Sequence, residues 1–362
     1  QDNGVWYGPS SYKASKRWES YGSYPYKSIG GGDGMQVQID SRDNNIVYSG
    51  SQFGYYYRMN LKTKERLNIH PKHELGESPY RYNWQTPILL SPHNQDILYM
   101  GANKLLRSMD KGENFSEISE DLTTGGIKGN VPYGTLTSIS ESPLQFGFIY
   151  VGSDDGYVNV TTNGGGSWTR ISDELPQGLW VSRVVASFYK KDRVYVSLNG
   201  YRNDDFKPYL FVSENKGASW KNIGDNLPIS PVNVVIEDSV DQNILYVGTD
   251  NGVYVTFDKG ENWHAFSNGL PKVAVHDLVL QKRDKELVIG THGRSIYKTS
   301  IAPLQEFNFM KSKNLTVFEM PSVRYSSRWG NSWSKWMKPS EPTVAIPYFV
   351  SEEGKFTVTV LA

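Results

Sequence analysis

The chain has 362 residues, enough for a large core in one or two domains, and its 38 basic and 38 acidic side chains cancel to a formal net charge of zero. This balance argues against a nucleic-acid binder, which normally carries a basic excess on one face. The absence of cysteine excludes disulfides, thiolate metal sites and cysteine catalysis. No run approaches the roughly 20 apolar residues of a membrane helix, and no signal peptide opens the chain, so we expect a processed or partial chain.

Aromatic residues make up 13% of the chain, with 24 Tyr and 10 Trp. Most of these rings are expected to pack between β-sheets in the core. Some are expected to form platforms for a sugar or a protein.

An eight-residue pattern occurs four times: Ser/Thr, any, Asp/Asn, any, Gly, any, any, Trp/Phe. The copies are SMDKGENF, TTNGGGSW, SENKGASW and TFDKGENW, with Asp110, Asn163, Asn215 and Asp258 at the third position. They begin at residues 108, 161, 213 and 256, so successive copies are 53, 52 and 43 residues apart, about one four-stranded blade each. The short acid or amide can accept backbone hydrogen bonds, and the glycine can take a positive φ. We therefore interpret these acidic and amide residues as structural.

A second repeat precedes each octet, as in IYVGSDDGYVNV and LYVGTDNGVYV, where two alternating apolar strands flank a polar turn. Each unit is predicted to be four strands, with the octet between the third and the fourth. The predicted blades lie near residues 31–72, 81–120, 131–173, 176–224, 228–268 and 271–304. Residues 1–30 resemble the latter half of another blade, because QDNGVWYG matches GTDNGVYV, so the preferred fold is an all-β, seven-bladed propeller. Radial closure avoids a long unpaired edge.

The repeat is lost from Ala302 onward. The segments AIPYFV and KFTVTVLA are predicted to be two strands of an incomplete β-sandwich, and two strands cannot bury a core alone. We therefore predict a propeller domain over 1–304 and a C-terminal extension over 305–362, as part of a longer chain or a larger assembly.

The octets and GTDNG-type loops resemble those of Asp-box (BNR-repeat) propellers, a class that includes sialidases, inverting xyloglucanases, the luminal domain of sortilin and photosystem-assembly factors. The phrases QDNGVWYGPS, GGGDGMQVQID and GTHGRSIY are most similar to the large sortilin-like, glycosyl hydrolase-like BNR-repeat proteins that Bacteroidetes often export. The resemblance covers roughly residues 1–304. It implies an exported protein at the cell surface, outside the outer membrane or extracellular, with the octets on the face away from the binding site. A propeller hosts unrelated functions, so activity must be argued from the site.

The opposite face is formed by the loops between second and third strands and by the links between blades. Its candidate binding residues are Arg81, Trp84, Trp180, Tyr201, His292 and Arg294. Its candidate catalytic acid is Asp33 in GGGDG, with Asp154 and Asp250 as the leading partners and Asp155, Asp204, Asp205 and Asp277 as others. The alternative for every one of these acids is a turn residue that satisfies backbone amides. No cofactor or metal site is predicted.

Two functions remain open. The first is a non-catalytic module that binds another surface protein or a glycan. The second is a glycoside hydrolase acting on a polysaccharide, similar to inverting xyloglucanases, in which Asp33 and a second carboxylate would act on either side of the scissile bond.

Overall fold

A computed structural model describes residues 3–10, 25–127, 129–311, 313–320, 322–323, 325–332, 334–336, 338–339, 341, 343–355 and 357–359. The chain divides into two compact units, one of residues 1–279 with 289–297 and the other of residues 280–288 with 298–362. The predicted boundary between residues 304 and 305 stays a prediction. No helix in the described ranges is long and apolar enough to cross a membrane.

Five four-stranded antiparallel sheets follow one another along the chain, each with its strands in sequence order. The first three are β3–β6 (Gln38–Ile39, Ile46–Gly50, Tyr56–Asn60, Arg66–Asn68), β7–β10 (Ile88–Leu90, Leu98–Gly101, Leu105–Ser108, Ser116–Glu117) and β11–β14 (Leu136–Glu141, Ile149–Ser153, Val158–Thr161, Thr169–Arg170). The next two are β15–β18 (Trp180–Ala186, Val194–Asn199, Tyr209–Ser213, Lys221–Asn222) and β19–β22 (Val232–Glu237, Leu245–Thr249, Gly252–Thr256, His264–Ala265). A sixth sheet holds β23–β25 (Val275–Gln281, Glu286–Thr291, Ile296–Ser300). The fold is an all-β propeller of four-stranded blades.

The described residues form six blades rather than the predicted seven, five of them with the predicted four strands and the sixth with three. The N-terminal strands β1 (Val5–Tyr7) and β2 (Lys27–Gly30) pair with each other in a two-stranded sheet. The sequence QDNGVWYG does contain a strand, but β2 satisfies its backbone groups, so the described residues form no further four-stranded blade from it. Residues 11–24 between these two strands lie outside the described residues.

The second unit contains a helix, α1 (Ala302–Met310), and a two-stranded sheet of β26 (Leu315–Val317) and β27 (Tyr348–Val350). Proline at position 303 suits the first turn of α1, where its missing N–H leaves no bond unmade. The predicted strand in AIPYFV is present as β27. The second predicted strand, KFTVTVLA, is not a strand in its described residues, and residues 356 and 360–362 lie outside them. The described residues therefore contain two paired strands rather than a β-sandwich.

The hydrophobic core lies between neighbouring sheets. Tyr99 and Leu105 of the second blade pack in one buried cluster with Leu136 and Val151 of the third. Similar clusters join the third blade to the fourth and the fourth to the fifth. The second strands of the second to fifth blades, β8, β12, β16 and β20, are buried along their whole length, because sheets cover them on both faces.

The octets form compact hydrogen-bonded turns after the third strands. In the first octet, the Ser108 hydroxyl donates to Asp110 Oδ1 (2.7 Å), and the backbone N–H groups of Gly112 and Asn114 donate to Ser108 Oγ (2.8 Å) and Asp110 Oδ1 (2.9 Å). The other three octets repeat these contacts around Asn163, Asn215 and Asp258. The carboxylates and amides of the octets are therefore occupied by their own turns.

The glycine of each octet packs against an isoleucine of the preceding blade, and in three of the four octets an indole adds a hydrogen bond to that blade. The indole N–H groups of Trp168, Trp220 and Trp263 donate to the carbonyl oxygens of Ile118, Ile171 and Ile223 at 2.8, 2.8 and 2.7 Å. These isoleucines follow the outer strands of the preceding blades. The same isoleucine packs against the octet glycine: a Cβ added to Gly217 would lie 2.5 Å from the Ile171 side chain. The glycine is required both by its φ of 89° and by this close approach.

A further contact joins the blades at their innermost strands. The register of β11, β15 and β19 shifts near the start of each strand, leaving Thr137, Ser182 and Asn233 as bulged residues without a cross-strand partner. Their side chains donate to the carbonyl oxygens of Val181, Val232 and Val275 on the next innermost strand at 2.6, 2.7 and 3.2 Å. We call these contacts the bulge latches.

Gly217→Ala is expected to destabilise the propeller by about 2–4 kcal/mol, because a methyl group must both adopt a positive φ and overlap Ile171. Gly178→Ala is the matched control, since Gly178 has a φ of 70° but open space around its Cβ, and about 1 kcal/mol is expected. Urea unfolding of the two variants measures the difference. Equal losses would show that the contact with Ile171 contributes nothing.

Thr137→Val is expected to cost about 1–3 kcal/mol, because it leaves the buried Val181 carbonyl without its donor. Thr169→Val on the exposed strand β14 is the control and should change the free energy of unfolding by about 0.5 kcal/mol or less. Denaturant midpoints of both variants provide the measurement. A Thr137→Val protein as stable as the wild type would contradict a stabilising role for the latch.

Candidate functional site

Strand register separates the propeller into two ends. In the third blade, the end of β11 pairs with the start of β12 (Glu141 with Ile149), and Ile149 pairs in turn with Thr161, the first residue of an octet. At the opposite end of the same strands, Leu136 pairs with Ser153. We call these the octet end and the loop end. The loop end also carries the turns and strand starts that contain Trp180, Asp250 and His292. The predicted site residues on β11–β25 therefore share one end, away from the octets.

The first candidate acid, Asp33, lies in the turn that leads into β3. Its side chain is half-buried and accepts no hydrogen bond or ion pair from the residues that the structure describes. This turn closely approaches the segment around Gly4, since a Cβ on Gly34 would lie 2.4 Å from the carbonyl oxygen of Gly4. No contact joins Asp33 to either leading partner acid, Asp154 or Asp250.

Asp154 is buried in the turn between β12 and β13 and connects that turn to the residues just before β11. Its Oδ1 accepts from the backbone N–H groups of Gly134 (3.0 Å) and Thr135 (2.8 Å), and its Oδ2 accepts from the Thr135 hydroxyl (2.6 Å). Burial raises the pKa of Asp154 while the bonds from Thr135 oppose that rise. The neighbouring Asp155 accepts from the backbone N–H and hydroxyl of Thr124 at 2.7 and 2.8 Å and from Ser153. Both carboxylates hold loops in place.

Two further candidate carboxylates at the loop end have internal donors, whereas Asp204 is exposed and accepts no hydrogen bond from the described residues. Asp250 accepts from Asn233 Nδ2 at 2.8 Å. Asp277 on β23 accepts from Arg183 on β15 at 2.6 Å, an ion pair that joins the innermost strands of the fourth and sixth blades. These contacts tie the strand starts together across the intervening blade.

Arg81 is a structural cation rather than a free one. Its guanidinium donates to Asp121 (2.6 Å), Thr123 (3.2 Å) and the carbonyl oxygen of Gly134 (3.1 Å). It joins the link between the first two blades to the link that precedes β11. Its donors are therefore committed to other parts of the loop end.

An aromatic cleft of about 800 Å³ lies beside the first two blades. Tyr55 stacks on His70 with ring centroids 4.5 Å apart, and the rings of Tyr82 and Tyr80 continue the row. The remaining lining residues are Phe53, Asn68, Pro71, Lys72, His73, Pro79 and Pro132. Tyr55 is 51% exposed, so its ring is accessible to a ligand. We call this set of residues the aromatic cleft.

Trp84, a predicted binding residue, stands next to this cleft. Its ring meets Phe53 edge to face with centroids 5.1 Å apart and remains 39% exposed. The sequence pointed to Trp84 but not to the row of Tyr80 and Tyr82, because these residues lie in a blade link that no repeat marks.

The 200–209 loop carries a second group of rings. The guanidinium of Arg202 lies over the Trp180 ring at 4.0 Å from its centroid, and Tyr201 meets Phe206 edge to face at 6.2 Å. Asp205 fixes the loop by accepting from the Tyr209 hydroxyl at 2.6 Å. The structure thus brings Trp180 and Tyr201 into one loop cluster, and it adds Arg202, which sequence reasoning missed.

His292 stands beside His276, with ring centroids 5.4 Å apart. Both side chains are exposed, yet desolvation by the surrounding protein and the charges of His292 and Arg202 lower the pKa of His276. Arg294 is exposed, and among the described residues nothing pairs with it. No cluster of three or more His, Asp or Glu side chains in the described ranges could hold a metal ion.

Comparison with known proteins supports the fold. A family model described as Sortilin, neurotensin receptor 3 matches residues 208–339. No curated protein matches the chain at the level of sequence.

Solved structures of propellers align with most of the chain at low identity. A GH74 xyloglucanase from Xanthomonas campestris has a TM-score of 0.51 at 15% identity, covering 74% of this chain and 51% of the enzyme. The extracellular domain of a putative one-component system from B. thetaiotaomicron has a TM-score of 0.50 at 17% identity, covering 74% of this chain and 32% of that protein. An ancestral GH74 enzyme has a TM-score of 0.48 at 17% identity, covering 61% of this chain and 30% of the enzyme.

This chain thus spans about half or less of the length of each of these structures. At such identities the likeness concerns the fold. The resemblance stated from the sequence is confirmed: the chain is a β-propeller similar to the sortilin family over residues 208–339.

Proposed function

We propose that this protein is a non-catalytic binding module that holds a glycan or another surface protein at the loop end of an Asp-box propeller. The observation that carries the proposal is the contrast between the acids and the rings at that end. Asp154 and Asp250 accept hydrogen bonds from the protein itself, whereas Tyr55, Trp84 and Tyr201 leave ring surface exposed. Exposed rings on a rigid scaffold suit binding, and carboxylates that brace loops are poorly placed to transfer protons.

An exported location, outside the cell or on the bacterial surface, is part of the same proposal. Its support is that one structural neighbour is itself an extracellular domain and that the matching family is described as a receptor. The extracellular location and the receptor function belong to those proteins. For this chain, the class of partner is proposed from the exposed rings at the loop end.

Glycoside hydrolysis is the second candidate function, and one observation favours it. Among the three leading candidate acids, the carboxylate of Asp33 is the one that accepts no hydrogen bond from the described residues. Hydrolysis requires a second carboxylate about 5–9.5 Å from the first, depending on mechanism. The leading partners Asp154 and Asp250 stand on other blades and are already hydrogen-bonded.

Tyr55→Ala and Trp84→Ala are expected to weaken ligand binding about tenfold each, because each removes an exposed ring beside or within the aromatic cleft. Affinity electrophoresis in gels containing xyloglucan, mannan, starch or polygalacturonate measures the retardation. Phe146→Ala is the matched control, an exposed ring (46%) at the octet end. Retardation lost equally in all three variants would argue against a site at the loop end, and wild type unretarded by any polysaccharide would remove the glycan half of the proposal.

The wild type and an Asp33→Asn variant are both expected to release no reducing sugar from xyloglucan or other polysaccharides, because the proposal assigns no catalytic acid pair. A reducing-end assay over an extended incubation measures this. Hydrolysis by the wild type that falls at least a hundredfold in Asp33→Asn would establish the hydrolase instead.

A further inference from the structure

The guanidinium of Arg202 lies over the Trp180 ring, 4.0 Å from its centroid. No carboxylate or carbonyl in the described part of the chain accepts a hydrogen bond from it. Three other arginines of the propeller, Arg42, Arg81 and Arg183, are in ion pairs. Stacking leaves the donor edge of the guanidinium free, because the ring covers only its flat face.

The surroundings of Arg202 favour an anion. Protein atoms around the Arg202 guanidinium lower its pKa by desolvation, although the side chain remains exposed to solvent. The negative charge of Asp154 raises the pKa but offsets only part of that effect. A guanidinium that has lost part of its hydration gains more from an incoming carboxylate than a fully hydrated one does. The charge of Arg202 also acts on His276, which stands beside His292, so further donors lie close by.

The neighbouring carboxylates do not compete for these donors. Asp154 is bonded to Gly134 and Thr135, and Asp277 to Arg183. In the same loop, Asp205 is bonded to Tyr209. The acid whose charge acts on Arg202, Asp154, is thus already bonded, and the exposed Asp204 of the same loop forms no ion pair with Arg202.

The rings next to Arg202 indicate what carries the anion. Tyr201 is 59% exposed and Phe206 is 44% exposed, and their edge-to-face contact leaves ring faces open to solvent. A hexuronate sugar presents both features at once: a carboxylate on C5 for the guanidinium and a C–H-bearing ring face for an aromatic ring. A peptide terminus would supply the same carboxylate but not the sugar ring face that an exposed aromatic ring packs against.

We propose that Arg202 and Tyr201 form a subsite for the hexuronate units of an acidic polysaccharide. Arg202 would pair with the carboxylate, and Tyr201 would pack against the sugar ring. The inference rests on the proposed binding function and deepens it by naming a class of glycan.

The test uses trigalacturonic acid and its methyl ester, which has the same sugar rings without the charges. Isothermal titration with the full chain is expected to show binding of the acid and at least tenfold weaker binding of the ester. Arg202→Gln is expected to weaken binding of the acid at least tenfold and to leave binding of the ester unchanged. Arg66→Gln is the matched control, because Arg66 also stacks on a ring, that of Tyr57 at 3.4 Å, on an outer strand.

The outcomes separate the inference from the proposed function. Equal binding of acid and ester, or an Arg202→Gln protein that binds the acid like the wild type, would overturn the subsite while leaving a glycan-binding propeller intact. A peptide ligand would replace the hexuronate under two conditions. The wild type would fail to bind the acid, and it would bind a peptide with a free C-terminal carboxylate, but not the peptide amide, in a manner that depends on Arg202. No binding of the acid, the ester or that peptide overturns the subsite; if the polysaccharide gels also show no retardation, the glycan half of the proposed function fails with it.

Discussion

The free edge of each innermost strand is the constraint on which the rest of this propeller depends. A sheet whose first strand faces the centre exposes unpaired N–H and C=O groups along that edge. Here the side chains of the preceding blade supply the missing partners. Thr137, Ser182 and Asn233 donate to carbonyl oxygens on the next innermost strand, and Ser138 Oγ accepts from the N–H of Val184 at 3.0 Å. Adjacent sheets are therefore joined by hydrogen bonds at the centre and by the indole contacts of the octets farther out.

These two sets of contacts explain why one end of the molecule is uniform and the other is not. At the octet end, a fixed pattern of turn bonds, a positive-φ glycine and a closing ring must recur, because each octet meets an isoleucine of the blade before it. At the loop end, the latches hold the strand starts, so the loops that follow can differ. The 200–209 loop is the longest between a second and a third strand, and residues 69–87 form the longest link between blades. Long loops of this kind are where binding groups are usually found.

The sequence foretells the parts of the structure that repeat. Octets at blade spacing predicted four-stranded sheets, and five such sheets with their strands in chain order are confirmed, whereas the sixth holds three described strands. The count of seven blades was wrong because QDNGVWYG has the local pattern of a third strand, and a local pattern does not determine which strand will pair with it. The aromatic cleft and Arg202 escaped notice for a related reason. They depend on which loop residues meet in space, and neither periodicity nor turn chemistry carries that information. The one sequence signal was the unusual length of the 200–209 insertion.

The same physical chemistry decides how the acidic residues of this fold should be interpreted. A carboxylate that accepts two or three backbone or hydroxyl hydrogen bonds, as Asp110 and Asp154 do, stabilises a turn whether or not it lies near a ligand. Position at the loop end is therefore insufficient evidence of function. What distinguishes a binding group is interaction capacity that the fold leaves unused. By that criterion the exposed rings of Tyr55 and Tyr201 and the guanidinium of Arg202 qualify, whereas Asp154 and Asp250 belong to the scaffold that holds them.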